Sequence, residues 1–272
     1  MSSGHATDPE KKAVPGGRIF TQTETLPDPA VTYTISARNK PPDKPIMAYL
    51  RQNYGNIPLR EIDSVFGFVE RSPLYGGRGF DRRELSYRDV LQLNSAEIGL
   101  RIPMSNHFVT AEEYQKSARL LSRYHHKINS VIVTNDELAK WIRQDFPDYR
   151  LDASVIKNIK TYGKIESALK LYDSVVLPMR LNEDLEFLEK IETKERITLF
   201  ANAGCALTCP SKLCYRSISK MNKGQGGEFE FSQPIKDRDL YGMVDFPLQP
   251  YIDLGFRHFK LLRSRPGGMT GF

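Results

Sequence analysis

Cysteine is scarce in this chain, with three in 272 residues. The count is odd, and disulfide-built secreted scaffolds carry far more, so a cross-linked framework is excluded. Long hydrophobic runs are missing too: no window approaches the roughly 18 apolar residues that span a bilayer. The first 17 residues lack the apolar centre of a secretory leader. These absences predict a cytoplasmic protein without a membrane span. There is no G-x-S-x-G elbow and no H-E-x-x-H pair, which leaves serine-type and zincin-type hydrolysis without local support. Nor is there a block of one charge: 39 Lys and Arg are interspersed with 33 Asp and Glu, for a net +6. That balance permits contact with RNA or another polyanion, and equally describes a solvated mixed surface.

What is present is concentrated. All three cysteines fall in Asn202-Ala203-Gly204-Cys205-Ala206-Leu207-Thr208-Cys209-Pro210-Ser211-Lys212-Leu213-Cys214, spaced C-x3-C-x4-C directly after an apolar strand-like run at 197–200. Three thiolates on one short loop are soft donors. They suit a [4Fe–4S] cluster with one iron left open for substrate or for a fourth ligand such as His107, or zinc completed by one histidine. The plain alternative is three thiols filling space in a core. The spacing differs from the C-x3-C-x2-C of radical S-adenosylmethionine enzymes.

The rest of the chain reads as alternating strands and helices. Residues 1–45 are rich in Pro, Gly, Thr and Lys, and Pro27, Pro29, Pro41, Pro42 and Pro45 interrupt any long element. This segment is expected to be an extended, partly disordered arm that contacts a partner, with 31–35 able to dock as a strand; 46–272 is expected to be the folded domain. Strand patterns stand at 62–69, 98–103, 129–134, 150–154, 174–179, 197–202 and 257–263. Between them lie helices with clear starts, such as Thr110-Ala111-Glu112-Glu113, which matches a capping box. Repeated β-α units of roughly 25–35 residues require parallel strands with helical crossovers. No glycine-rich dinucleotide fingerprint follows the first strand. The expectation is therefore a TIM-like (β/α) barrel of six or seven recognisable strands, short or irregular because 215–239 lacks the pattern.

In such a barrel the C-terminal strand ends share one rim. That places Asn106, His107, Asn135, Lys157, Asn158, Arg180 and the cysteine loop together. Asn106 and His107 are candidates to face an open metal position, and Lys157 and Arg180 to orient an anion. Lys212, Arg216, Lys260 and Arg263 are candidates for binding an acidic substrate. Tyr75, Phe108 and Tyr215 are candidates to stack on a base or to fill the core. Gly76-Gly77-Arg78-Gly79 is a flexible turn able to approach a phosphate, and weak by itself. His258 lies inside a strand pattern and reads as structural.

Several of these segments carry a resemblance. Leu74-Tyr75-Gly76-Gly77, Ser174-Val175-Val176-Leu177-Pro178-Met179-Arg180-Leu181, the cysteine loop and Gly255-Phe256-Arg257-His258-Phe259-Lys260 together resemble the collagenase-like peptidase family. Its members include the ubiquinone-hydroxylation proteins UbiU and UbiV and the RNA-hydroxylation proteins of the RlhA type. The chain departs from that pattern: no cysteine follows Cys214, and the usual late strand ends here as Phe259-Lys260-Leu261-Leu262-Arg263-Ser264. The resemblance implies a barrel holding a [4Fe–4S] cluster on Cys205, Cys209 and Cys214. It also implies oxygen-independent hydroxylation or related redox modification of an RNA base or small anionic or aromatic substrate, and a heterodimeric partner subunit. Alternatives are a non-catalytic binding subunit with structural zinc or no metal, and a cysteine-dependent peptidase.

Overall fold

The computed structural model describes Met1 and residues 30–209, 213–225, 229–230, 232 and 244–263. Eight parallel strands close into a barrel: β1 Thr32–Ser36, β2 Ile62–Phe66, β3 Gly99–Ile102, β4 Ser130–Val133, β5 Arg150–Ala153, β6 Ser174–Val176, β7 Ile197–Phe200 and β8 His258–Lys260. β1 closes the ring by pairing with both β2 and β8. The helices are α1 Ile46–Tyr54, α2 Tyr87–Ser95, α3 Ala111–Arg123, α4 Asp136–Asp145, α5 Tyr162–Leu169, α6 Leu185–Glu189, α7 Cys214–Asn222 and α8 Gln249–Asp253. Among the described residues no helix is long and apolar enough to cross a membrane.

The barrel is complete, and its first strand lies in the stretch assigned above to the arm. The folded domain therefore includes Thr32–Ser36, ahead of residue 46, and the Leu74 to Gly77 segment follows the second strand. The physical reason is that Thr32-Tyr33-Thr34-Ile35-Ser36 turns hydroxyls to one face, so it lacks the apolar density of a barrel strand. The arm residues 2–29 lie outside the described residues. In the stretch at 215–239, α7 supplies helix up to Asn222.

Helix starts follow their capping chemistry. Thr110 accepts from the Glu113 amide while Glu113 accepts from the Thr110 amide, and Ser86 and Asp89 do the same for α2. Asn135 accepts the amides of Glu137 and Leu138 at the start of α4. The helices bury Leu93, Leu121, Leu138, Ile142, Ile165 and Leu188 against the outward side chains Val65, Leu100, Val131, Leu151, Val175 and Leu199. That outer layer is an ordinary apolar core.

The inside of the barrel is not. Barrel lumens are commonly filled with branched apolar residues, and here hydroxyls and charges fill the lower and middle layers. Arg101 of β3 is buried and reaches across the lumen: Nη1 donates to Thr34 of β1 (2.6 Å), and Nε donates to Ser130 of β4 (3.1 Å). The same Nε lies 3.0 Å from a carboxylate oxygen of Asp152 on β5, which has no exposed surface. Asp63 pairs with Arg150 at 3.0 Å and lies 3.5 Å from Arg101. Burial alone raises the Asp63 carboxyl, but Arg150 and Arg101 overcome that and hold it below the usual carboxylate range. At the lower end a cavity of about 80 Å³ remains, bordered by Thr32, Arg150, Asp173, Glu195 and His258. Burial keeps the His258 imidazole below its ordinary pKa, and Thr32 Oγ1 is 2.7 Å from its Nδ1.

The upper layer turns apolar, with Phe66, Val176 and Phe200 around the buried Lys260. Its Nζ lies 4.4 Å from the Phe66 ring centroid and 6.0 Å from that of Phe200. Burial first, then the positive charge of Arg101, pushes this amine down to about 7.

Two outcomes follow from this interior. Arg101→Met leaves the buried Asp152 with only the longer 3.6 Å pairing to Arg150 and the Ser174 hydroxyl, and urea denaturation is expected to show a loss of about 3–5 kcal/mol, part of which Arg101→Met/Asp152→Asn restores. Lys260→Met removes a charge that the native state holds poorly. Its stabilising effect is expected to be full below about pH 7 and to fade as pH rises toward the ordinary lysine pKa of about 10.4, because only the unfolded chain then binds the proton. Thermal unfolding of both proteins from pH 6 to 10 measures this.

Candidate functional site at the barrel mouth

The loops leaving β1, β2, β3, β7 and β8 converge at the C-terminal end of the barrel. After β7, Ala203 and Leu207 pack on Val176, Met179 and Phe200, joined by the half-buried Val155, Ala206, Phe246 and Leu262. The cysteine loop is thus an apolar cover over the upper barrel layer. Asn202 anchors its start: its amide group donates to the Arg263 carbonyl (3.0 Å) and accepts from the Leu262 amide (2.8 Å).

Cys205 and Cys209 are half-buried and Cys214 is buried; all three are thiols. They share one neighbour. The Tyr215 hydroxyl is pushed above its ordinary pKa first by burial and then by Cys214, Cys205 and Cys209. Cys214 opens α7, where its amide donates to Ser232 Oγ (3.3 Å) and its sulfur lies 3.8 Å from the same hydroxyl. Across the mouth, Arg38 from the β1 exit lies within electrostatic reach of Cys205, Arg78 and Glu84; burial, then Arg78, lowers its pKa. Arg78 pairs with Glu84 and stacks 4.1 Å from the Phe68 ring centroid. The mouth therefore combines thiols, two guanidinium groups and one carboxylate under an apolar cover.

As donors the thiols suit a thiophilic metal. As placed they are gathered without being closed: among the described residues no three His, Cys, Asp or Glu side chains form a group that could hold a metal ion. Ligation would require the thiols to draw together around Tyr215.

The other candidates separate into struts and surface groups. Asn106 has no exposed surface, and its side chain is fully committed. Its Nδ2 contacts the carbonyls of Pro73 (2.8 Å), Tyr75 (3.1 Å) and Ser219 (2.9 Å), while Oδ1 accepts from the Phe108 amide (2.8 Å). It is a strut tying the β2 and β3 exits to α7, which corrects its reading as a group facing an open metal position. His107 is half-buried; burial, then Arg216, lowers its pKa, so it is neutral at pH 7. Its backbone donates to Ser219 Oγ (3.2 Å), about 7.5 Å along α7 from Cys214. Arg216 is exposed, 5.8 Å from the Phe108 ring centroid. Lys157 donates to the Thr134 carbonyl (3.0 Å) and pairs with Asp136 (2.7 Å), so it pins β4 to β5 instead of waiting for an anion. Arg263 pairs with Asp245 (2.7 Å) and donates to the Ala203 carbonyl, which makes it a second strut of the cysteine loop. Arg180 is exposed on the turn after β6. Lys212 lies outside the described residues.

Arg38 and Glu84 were absent from the sequence reading, and Arg78 entered it only as part of a turn. Arg38 becomes legible once Thr32–Ser36 is recognised as a strand, because it then stands two residues past a strand end. Glu84 carries no local signal; its role depends on the fold bringing it to the Phe68 amide at 2.9 Å.

Packing around the Asn106 strut is tight enough to test. A Cβ on Gly76 would stand 2.2 Å from the Ser105 carbonyl oxygen. Gly76→Ala and Asn106→Ala are each expected to cost roughly 2–4 kcal/mol, from overpacking and from unpaired carbonyls respectively. Hydrogen exchange should localise the loss to the β3 exit and α7, with the Arg101 network unchanged.

Comparison with known proteins returns the architecture alone. No family model matches the chain, and no curated protein matches its sequence. Among solved structures, that of the U32 peptidase Mk0906 superposes with a TM-score of 0.58 at 14% identity, covering 92% of this chain and 100% of that one. At that identity the likeness establishes a shared barrel fold.

Proposed function

We propose that the protein is a redox barrel enzyme, or the subunit of one, whose mouth binds an anionic or aromatic substrate beside a thiolate-held [4Fe–4S] cluster. Oxygen-independent hydroxylation of an RNA base or small aromatic compound is the reaction class this reading favours. The observation that carries it is that Cys205, Cys209 and Cys214 all lie within electrostatic reach of the Tyr215 hydroxyl at the barrel mouth. Three thiolates would hold the cluster and leave one iron open for substrate, and the cluster would supply the electron chemistry. The chain's own residues position the substrate: Arg38 and Arg78 attract an anionic group, and the apolar cover of Ala203, Ala206 and Leu207 excludes water. His107, neutral and beside Arg216, is suited to hold or pass a proton at the rim.

A second reading is favoured by the fold neighbour, a named peptidase. Cys205 lies within electrostatic reach of the Arg38 guanidinium. Cationic surroundings favour the thiolate, the form that acts as a nucleophile in cysteine hydrolases.

Anaerobic purification with metal analysis separates the readings. The expected result is a brown protein with about four irons per chain and absorbance near ~400 nm, both lost in Cys205→Ala/Cys209→Ala while the far-ultraviolet circular dichroism is kept. One zinc per chain would instead indicate a structural site in a binding subunit. No metal under strict anaerobiosis overturns the cluster, and rapid alkylation confined to Cys205 would then support the hydrolase.

A further inference from the structure

We propose that Lys260 is the nucleophile of a second, metal-independent chemistry in this barrel: condensation with the carbonyl of a short 2-oxo acid to form an imine. This goes beyond the redox reading and does not rest on it.

The argument begins with position. Lys260 is the last residue of β8, in register with Phe200 of β7 and Thr34 of β1. It therefore stands at the end of the barrel where chemistry is done, and at the floor of the apolar mouth. Its amine lies 4.4 and 6.0 Å from the centroids of two phenyl rings, one of which, Phe66, is only half-buried.

The second observation is the absence of a counter-ion. Other buried amines of this fold are paired: Lys40 with Asp89 at 3.1 Å, and Lys223 with Glu113 at 2.9 Å. Among the described residues Lys260 has neither an ion pair nor a hydrogen bond from its amine. A desolvated ammonium with no carboxylate partner is poorly held; the ring faces return part of that cost as cation–π attraction, and burial outweighs it.

Two of the three charged groups facing Lys260 act the same way. Arg101 comes from β3, Arg78 from the segment between β2 and α2, and Asp152 from β5. Burial, followed by Arg101, brings the amine to about 7, with Asp152 opposing and Arg78 adding to the shift. Desolvation beside another cationic group is a general route to a nucleophilic lysine.

The chemistry balances without an oxidant or cofactor. The Lys260 nitrogen lone pair attacks the carbonyl carbon to form the C–N bond. The resulting carbinolamine expels the carbonyl oxygen as water, which carries off both amine hydrogens and leaves the neutral imine. Protonation by solvent gives the iminium. A carboxylate next to the carbonyl offsets that new positive charge, and Arg38 and Arg78 supply an attractive field at the entrance. The apolar cover slows return of water to the imine.

Reductive trapping tests this on the full chain as purified. The protein is incubated with pyruvate or glyoxylate, reduced with sodium borohydride, and examined by intact mass and peptide mapping. The expected result is one adduct per chain at Lys260, with yield rising with pH through about 7. Acetone, which has no carboxylate, should trap at least about tenfold less. The adduct should vanish in Lys260→Met and Lys260→Arg, with melting temperatures near pH 7 showing that both variants remain folded. Adducts spread evenly over exposed lysines such as Lys116 and Lys140, or retained at the same yield in Lys260→Met, overturn the proposal. So does a folded wild-type protein with no adduct at Lys260. Trapping needs no metal, so its outcome is separable from that of the iron measurement.

Discussion

The Arg101 guanidinium is the interaction around which the barrel closes. One side chain from β3 meets Thr34 on β1, Ser130 on β4 and Asp152 on β5. Asp63 and Arg150 extend the network to the lower end. A buried ion pair contributes little net stability compared with apolar packing, but its geometry is demanding, because each unmet charge is costly. In a ring of short strands held outside by ordinary apolar helices, such a network favours a single registration of the inner faces. It also explains why Thr, Ser, Asp and Arg occupy lumen positions that commonly hold Val, Ile or Leu.

The same polar interior shapes the functional end. Arg101 puts positive charge below the upper layer, and that layer is otherwise Phe66, Val176 and Phe200. Lys260 sits at the boundary, where burial and Arg101 disfavour its proton and Asp152 offsets them only in part. Above it the cysteine loop is fixed by asparagines and one arginine: Asn202 ties β7 to β8, Asn106 ties β3 to α7, and Arg263 ties the loop to Asp245. Several polar residues that the sequence offered for the site are here supports, and what they surround are the thiols and an amine with no ion pair among the described residues.

Much of the architecture was legible from periodicity. Seven of the eight strands and the capped starts of α3 and α4 follow local signals that the structure keeps, because apolar faces must meet apolar faces. β1 was legible only as a segment of the arm able to dock as a strand, for a physical reason. Its inward residues are hydroxyls that satisfy Arg101, so its stabilisation comes from strands far away in sequence. The candidate site was legible only in part. The cysteine spacing and its place after a strand marked a loop that the structure sets over the barrel mouth, while Asn106, Lys157 and Arg263 were read as facing a metal or a substrate because rim position says nothing about which partners a polar side chain already has.

By itself the sequence determined the alternation of strand and helix, the parallel arrangement this demands, and the clustering of all thiols on one strand exit. These are local properties, set by side-chain period, capping chemistry and chain connectivity. Tertiary structure alone decided which polar residues are committed and which are not. Glu84 reaches Phe68 and Arg78, Asn106 joins two loops to α7, and Lys260 is flanked by phenyl rings from β2 and β7 with no carboxylate at pairing distance among the described residues. Desolvation and pairing depend on neighbours brought together across the barrel, and no segment of the chain carries that information alone.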